Sequence, residues 1–139
     1  MGVRRRGREL ALQMLYQHEL SSNDIDTIVL SFEELLQAPQ VTQEFAVKLA
    51  RGAVAKLAEI DAYLVGQADN WRLDRMAAVD RNILRLALYE LLFENDTPPA
   101  VVIDEAIEIA KRFGSERSGQ FVNGVLDGFL RRTREADKP

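Results

Sequence analysis

A chain of 139 residues, 47% of them hydrophobic, with 8 glycines and 4 prolines, can bury a core and is too apolar for disorder. Cysteine is absent, which excludes a disulfide framework and a thiolate metal site and suits a reducing cytoplasm. The net charge of −4 hides an asymmetry: residues 1–8 hold Arg4, Arg5, Arg6 and Arg8 of the 18 basic side chains and none of the 22 acidic ones, leaving 14 against 22, or −8, for the remainder.

That basic arm reads equally as a contact for a polyanion at one end of the molecule or as a solubilising terminus. From Arg8 to Leu20 helix formers follow one another, with Ala11, Met14, Leu15 and His18 on one face. Ser21–Asp24 breaks the run and offers caps. Ile25, Ile28, Val29, Phe32, Leu35 and Leu36 predict a single amphipathic helix over residues 25–37, stopped by Pro39. Thr42 is placed to cap a third helix reaching about Ala68, whose small residues Ala46, Ala50, Gly52 and Ala53 invite close packing. Asp69–Asn70 ends it, and Trp71–Ala78 is a short connection.

Val79–Phe93 is apolar on nearly every side and is read as a central, buried helix, with Asp80 suited to the positive end of its dipole. Thr97 and the prolines that follow predict the start of a helix burying Val102, Ile103, Ala106, Ile107, Ala110 and Phe113. Gly114 is placed as its C′ residue, and Ser115 as the cap of a last helix with the stripe Phe121, Val122, Val125, Leu126, Phe129 and Leu130. The polar end from Arg131 is expected to fray. The chain is thus an all-α protein of about seven helices in two packed sub-bundles, dividing near residues 69–75. No apolar run approaches the ~20 residues that span a bilayer, so a soluble intracellular protein is expected.

The search for chemistry is mostly negative. The single histidine, His18, lies on an apolar face without acidic or histidine partners at metal spacing, so it is read as a packed or interfacial side chain. No Gly-rich loop suits a phosphate, and the acids Asp104, Glu105 and Glu108 fall on a solvated helix face. The chain is therefore read as non-enzymatic, with no catalytic residue, metal or cofactor.

Binding is better supported. Arg8, Leu12 and Tyr16 stand four residues apart, so the arginines lead into a helix face bearing an aromatic ring; cations meet phosphates and a ring stacks on an unpaired base. The alternative for Tyr16 is a half-buried core ring with its hydroxyl at the surface. Gly124 and Gly128 suggest close helix contact, and Asn123 is read as a structural polar group rather than a binding one.

Taken together, the arginines and RELALQMLYQ, then VDRNILRLALYELL, TPPAVVIDEAIEIAKRFGSE and FVNGVLD resemble the NusB family of bacterial transcription antitermination factors, over Arg4 to about Leu130. The resemblance implies two perpendicular helical bundles in one RNA-binding domain over residues 1–139: a basic arm at 1–8, an N-terminal sub-bundle at 9–69 and a C-terminal one at 70–134. It implies binding of boxA-type single-stranded RNA from ribosomal RNA operons together with ribosomal protein NusE, in an assembly with other Nus factors that keeps RNA polymerase elongating. Carried over by position, Arg4, Arg5, Arg6, Arg8 and Tyr16 match one RNA-contacting region; Phe121 and the helix start before it match a second. Asp80, with its neighbour Arg81, falls at the partner-protein surface. Arg117 departs from relatives that can carry an acid there, and adds a cation to the second region. Whether a homodimer forms is left open. The readings set against this one are an RNA-binding accessory domain in ribosomal RNA maturation and a self-associating helical protein.

Overall fold

The computed structural model describes residues 2–67 and 73–136, and among these every regular element is helical. In order they are α1 (Val3–Ser21), α2 (Ile25–Ser31), α3 (Glu33–Leu36), α4 (Gln40–Ala55), α5 (Leu57–Gln67), a 3₁₀ turn (Leu73–Arg75), α6 (Ala78–Phe93), α7 (Pro99–Phe113) and α8 (Glu116–Ala136). The all-α expectation holds. The chain falls into two compact units, residues 1–57 and residues 58–139.

In the first unit α1 packs along α4, and α2 lies against both. The buried side chains are Leu10, Ala11, Met14 and Leu15 of α1, Ile25 and Ile28 of α2, and Ala46, Leu49, Ala50 and Ala53 of α4. The alanines of α4 bring its backbone close to α1. α1 starts at Val3 rather than near Arg8, since arginine propagates a helix well.

The single helix expected over residues 25–37 is broken at Phe32, whose backbone is extended (φ −81°, ψ 105°). Ser31 favours the break: its hydroxyl donates back to the carbonyls of Thr27 at 3.0 Å and Ile28 at 3.4 Å. The kink leaves Phe32 and Leu35 buried and puts Leu36 at the surface. Thr42 is not a cap. Pro39 holds the N-cap position of α4, and Thr42 is buried inside the helix. The long third helix is likewise interrupted at Lys56 (φ −108°), where α4 gives way to α5.

In the second unit α7 packs on α6 and α8, and α8 also reaches α6. The central helix is as expected: α6 buries every residue from Asn82 to Glu90. Val102, Ile103, Ala106, Ile109 and Ala110 of α7 meet Val122, Leu126 and Phe129 of α8 in the core; Ile109 takes the place expected of Ile107, which is half-buried. Pro98, not Thr97, is the N-cap of α7. Gly114 ends α7 without a left-handed φ (−116°); what requires glycine is space, because a Cβ would meet Ser118 Oγ and lie 2.9 Å from the Ala110 carbonyl oxygen. Ser115 does cap α8, its Oγ accepting from the Ser118 amide at 3.2 Å. α8 continues to Ala136 instead of fraying at Arg131. Asp69, Asn70, Trp71 and Arg72 fall outside the described residues.

Candidate nucleic-acid interface

Arg4, Arg5 and Arg6 occupy the first turn and a half of α1. That is the wrong end of a helix for cations: the first amide groups point outward unpaired and the dipole is positive there. The first turn contains no acid, and Gly2 at the N-cap supplies no side-chain acceptor. Local electrostatics therefore disfavour this start, and contacts made by its arginines, one across to α4 and one within α1, help to hold it.

One contact is aromatic. The Phe45 ring of α4 rests on Gly7, and the guanidinium carbons of Arg4 and Arg8 lie over it, 5.1 and 5.5 Å from its centroid. The other is ionic. Arg6 Nη1 donates to Glu9 Oε1 at 3.4 Å, and Glu9 is buried at 1% exposure. The four arginines thus differ in environment. Arg4 is exposed, Arg5 and Arg6 are half-buried, and Arg8 is buried at 4% exposure. The four-residue spacing from Arg8 to Tyr16 does not define one open face: Arg8 and Leu12 point inward, and Tyr16, 37% exposed, stands at the surface with Leu20 beyond it. His18 is half-buried.

In the second unit the corner from α7 to α8 collects further cations. Arg117 is exposed on the first turn of α8, and Phe121 one turn later is half-buried. Lys111 and Arg112, exposed at the end of α7, join them. Lys111 pairs with Glu108 at 3.7 Å, and Arg112 lies over the Phe113 ring at 5.4 Å. By helical periodicity alone this lysine and arginine are only solvated charges; their place directly before the α8 cap is the signal that could have found them. Asn123 is exposed, so its expected structural role inside the stripe is corrected. Gly124 and Gly128 are not sites of close helix contact among the described residues, since a Cβ at either would meet nothing within 4 Å.

The start of α6 has a different character. Arg81 Nη1 donates to the carbonyls of Leu73 at 2.9 Å and Met76 at 2.8 Å, tying the 3₁₀ turn to the helix. Asp80 is half-buried, and its Oδ1 is enclosed with no hydrogen-bond partner among the described residues.

Deeper in the same unit, Arg85 makes a two-pronged ion pair with Asp61 of α5: Nε to Oδ1 at 2.8 Å and Nη2 to Oδ2 at 2.9 Å. Asn82 accepts from Arg85 Nη1 at 3.2 Å and donates to the Ala78 carbonyl at 2.9 Å. Tyr89 donates its hydroxyl to Glu94 Oε1 at 2.8 Å; burial first, then this carboxylate and Glu90, push its pKa up to about 12. Among the described residues no group of three or more His, Asp or Glu side chains could hold a metal ion.

A model of the NusB family matches residues 5–131. The transcription antitermination protein NusB of Geobacter sulfurreducens is 47% identical over 128 residues, 91% of this chain and 93% of that protein. The structure of T. maritima NusB is 45% identical, with a TM-score of 0.82 over 92% of this chain and 90% of that one. A crystal structure of the antitermination factors NusB and NusE in complex with dsRNA contains a chain 30% identical to this one, with a TM-score of 0.85 and coverage of 95% and 98%.

Proposed function

This chain belongs to the NusB family, and from that premise we propose that it is a non-catalytic RNA-binding adaptor of transcription antitermination. It works in the cytoplasm with ribosomal protein NusE on boxA-type single-stranded RNA of ribosomal RNA operons, within an assembly of Nus factors and RNA polymerase.

The observation that carries this reading is the start of α1. Three arginines in the opening turns, with no acid and no capping side chain, destabilise a helix that stands alone and suit one that receives phosphates. Arg4 and Arg5 contact the RNA backbone. Arg6, paired with the buried Glu9, and the buried Arg8 contribute to the positive potential more than to contact. Tyr16 offers a ring to an unstacked base. Arg117 and Phe121, with Lys111 and Arg112 beside them, form the second group of RNA contacts, a cation paired with a ring in the same way.

The start of α6 receives NusE. Asp80, half-buried on the first turn of α6, presents the accessible part of its carboxylate there to a donor from the partner protein. Arg81 serves by fixing the adjoining turn rather than by reaching outward.

Titration of labelled boxA RNA and a scrambled control, each with and without NusE, tests the proposal. Preference for boxA that increases when NusE is present is the expected result. Equal binding of both RNAs with NusE present defeats it.

A further inference from the structure

Phe45 lies on α4, far in sequence from the arginines, and nothing in its local pattern marks it as functional. In the fold, however, its ring rests against the α1 backbone at Gly7 and lies under the guanidinium groups of both Arg4 and Arg8. These two arginines are one helical turn apart, so the ring spans the turn on which the basic cluster sits.

The electrostatics of that turn give the contact a purpose. Cations crowd the positive end of a helix that has no acid in its first turn and no side-chain cap. Repulsion among the arginines, and between them and the dipole, favours unwinding of residues 3–8. A ring face attracts two of these same cations at once and cannot be replaced in this by an aliphatic side chain of similar size. Arg8 is buried and supplies the inner half of the stack, while Arg4 is exposed and supplies the outer half.

We propose that Phe45 is a positioning residue for RNA recognition: by holding Arg4 and Arg8 against its ring, it keeps the first turn of α1 folded and its surface cations ordered before RNA arrives. The inference rests on the RNA-binding reading given above. Its physical content is preorganisation, since side chains already held in place lose less freedom on binding. Phe45 itself need not touch the nucleic acid.

Four variants test this with fluorescence anisotropy of a labelled boxA-type single-stranded RNA: Phe45→Leu, Phe45→Tyr, Arg4→Ala, and Arg4→Ala with Phe45→Leu. Phe45→Leu is expected to weaken binding about three- to tenfold, the size of one partly exposed cation–π contact. Phe45→Tyr retains the ring face and restores near-wild-type binding. In the Arg4→Ala background Phe45→Leu weakens binding by a smaller factor than it does in wild type, because one of the two arginines held by the ring is gone. Amide hydrogen exchange at residues 6–8, whose amides are the first to bond within α1, rises in Phe45→Leu and not in Phe45→Tyr.

Wild-type affinity in Phe45→Leu, losses that multiply in full in the double variant, or unchanged exchange at residues 6–8 overturns the inference. If Phe45→Leu does not fold, Gly7→Ala carries the test, since its methyl displaces the ring without removing it; binding equal to wild type then overturns the proposal. A wild-type protein that fails to bind the RNA removes the underlying reading and the inference with it. Binding that ignores Phe45 removes the inference alone.

Discussion

Gly7 lets the Phe45 ring lie directly on the backbone of α1: a Cβ at this position would stand 2.5 Å from Phe45 Cδ2. A mid-helix glycine costs roughly 0.5–1 kcal/mol relative to alanine, so the close approach is what justifies it. Gly7→Ala is expected to destabilise the protein despite its better helix propensity, because overpacking costs about 1–3 kcal/mol. Thermal denaturation checks this; a raised midpoint would show that the ring moves aside freely.

The cations at the start of α1 predict a conflict between stability and binding. Arg5→Glu places an acid where the dipole favours one, for a gain of about 0.3–1 kcal/mol. The variant should unfold near the wild-type temperature, the dipole gain offsetting the contact that Arg5 gives up, while binding RNA far more weakly. Paired melting curves and RNA titrations measure both; a drop in midpoint together with intact binding contradicts the account.

Arg85 and Asp61 join α6 to α5 inside the second unit. Asp61→Ala leaves the largely buried guanidinium without its carboxylate and should cost about 3–5 kcal/mol. Replacing both, Asp61→Leu with Arg85→Met, should recover most of that loss. Denaturant unfolding of the three proteins distinguishes a pair that matters through desolvation from one that contributes nothing.

Leu88 is fully buried in the middle of α6. Leu88→Ala is expected to destabilise by about 2–5 kcal/mol, through lost apolar contact and the cavity left behind. A shift below about 1 kcal/mol on the same scale would mean the helix repacks around the gap.

Tyr89 predicts a loss of stability at high pH. Its pKa is raised from 10.0 to about 12 in the folded chain, so the folded state holds the proton more tightly than the unfolded one. The stabilisation is complete below the unfolded pKa and falls as pH rises from about 10 to about 12. The stability difference between wild type and Tyr89→Phe should shrink across that window. A difference that stays constant there rules out the linkage.

What the sequence makes legible follows from how far each signal reaches. The stripes of α7 and α8 repeat every three to four residues, α6 is apolar on nearly every side, and the Ser115 cap is read from neighbours alone, so these are visible without the fold. The break at Phe32 is hidden because its side chain keeps the apolar period while its backbone leaves the helix. Thr42 looks like a cap by type, but α4 already begins at Gln40 and buries it. The candidate site divides in the same way. The arginine cluster stands out as charge in a short stretch. The burial of Arg8, the ring supplied by Phe45 and the turn held by Arg81 all depend on contacts across the fold, which no local pattern contains.

The central claim is that the start of α1 meets phosphates, and the salt dependence of RNA binding tests it most directly. Each phosphate neutralised on a single strand adds about 0.7 to the slope of log affinity against log salt concentration. Arg4→Ala with Arg5→Ala should therefore weaken binding and flatten that slope by about 1.4. An unchanged slope, whatever the affinity, would place the RNA backbone elsewhere on the protein.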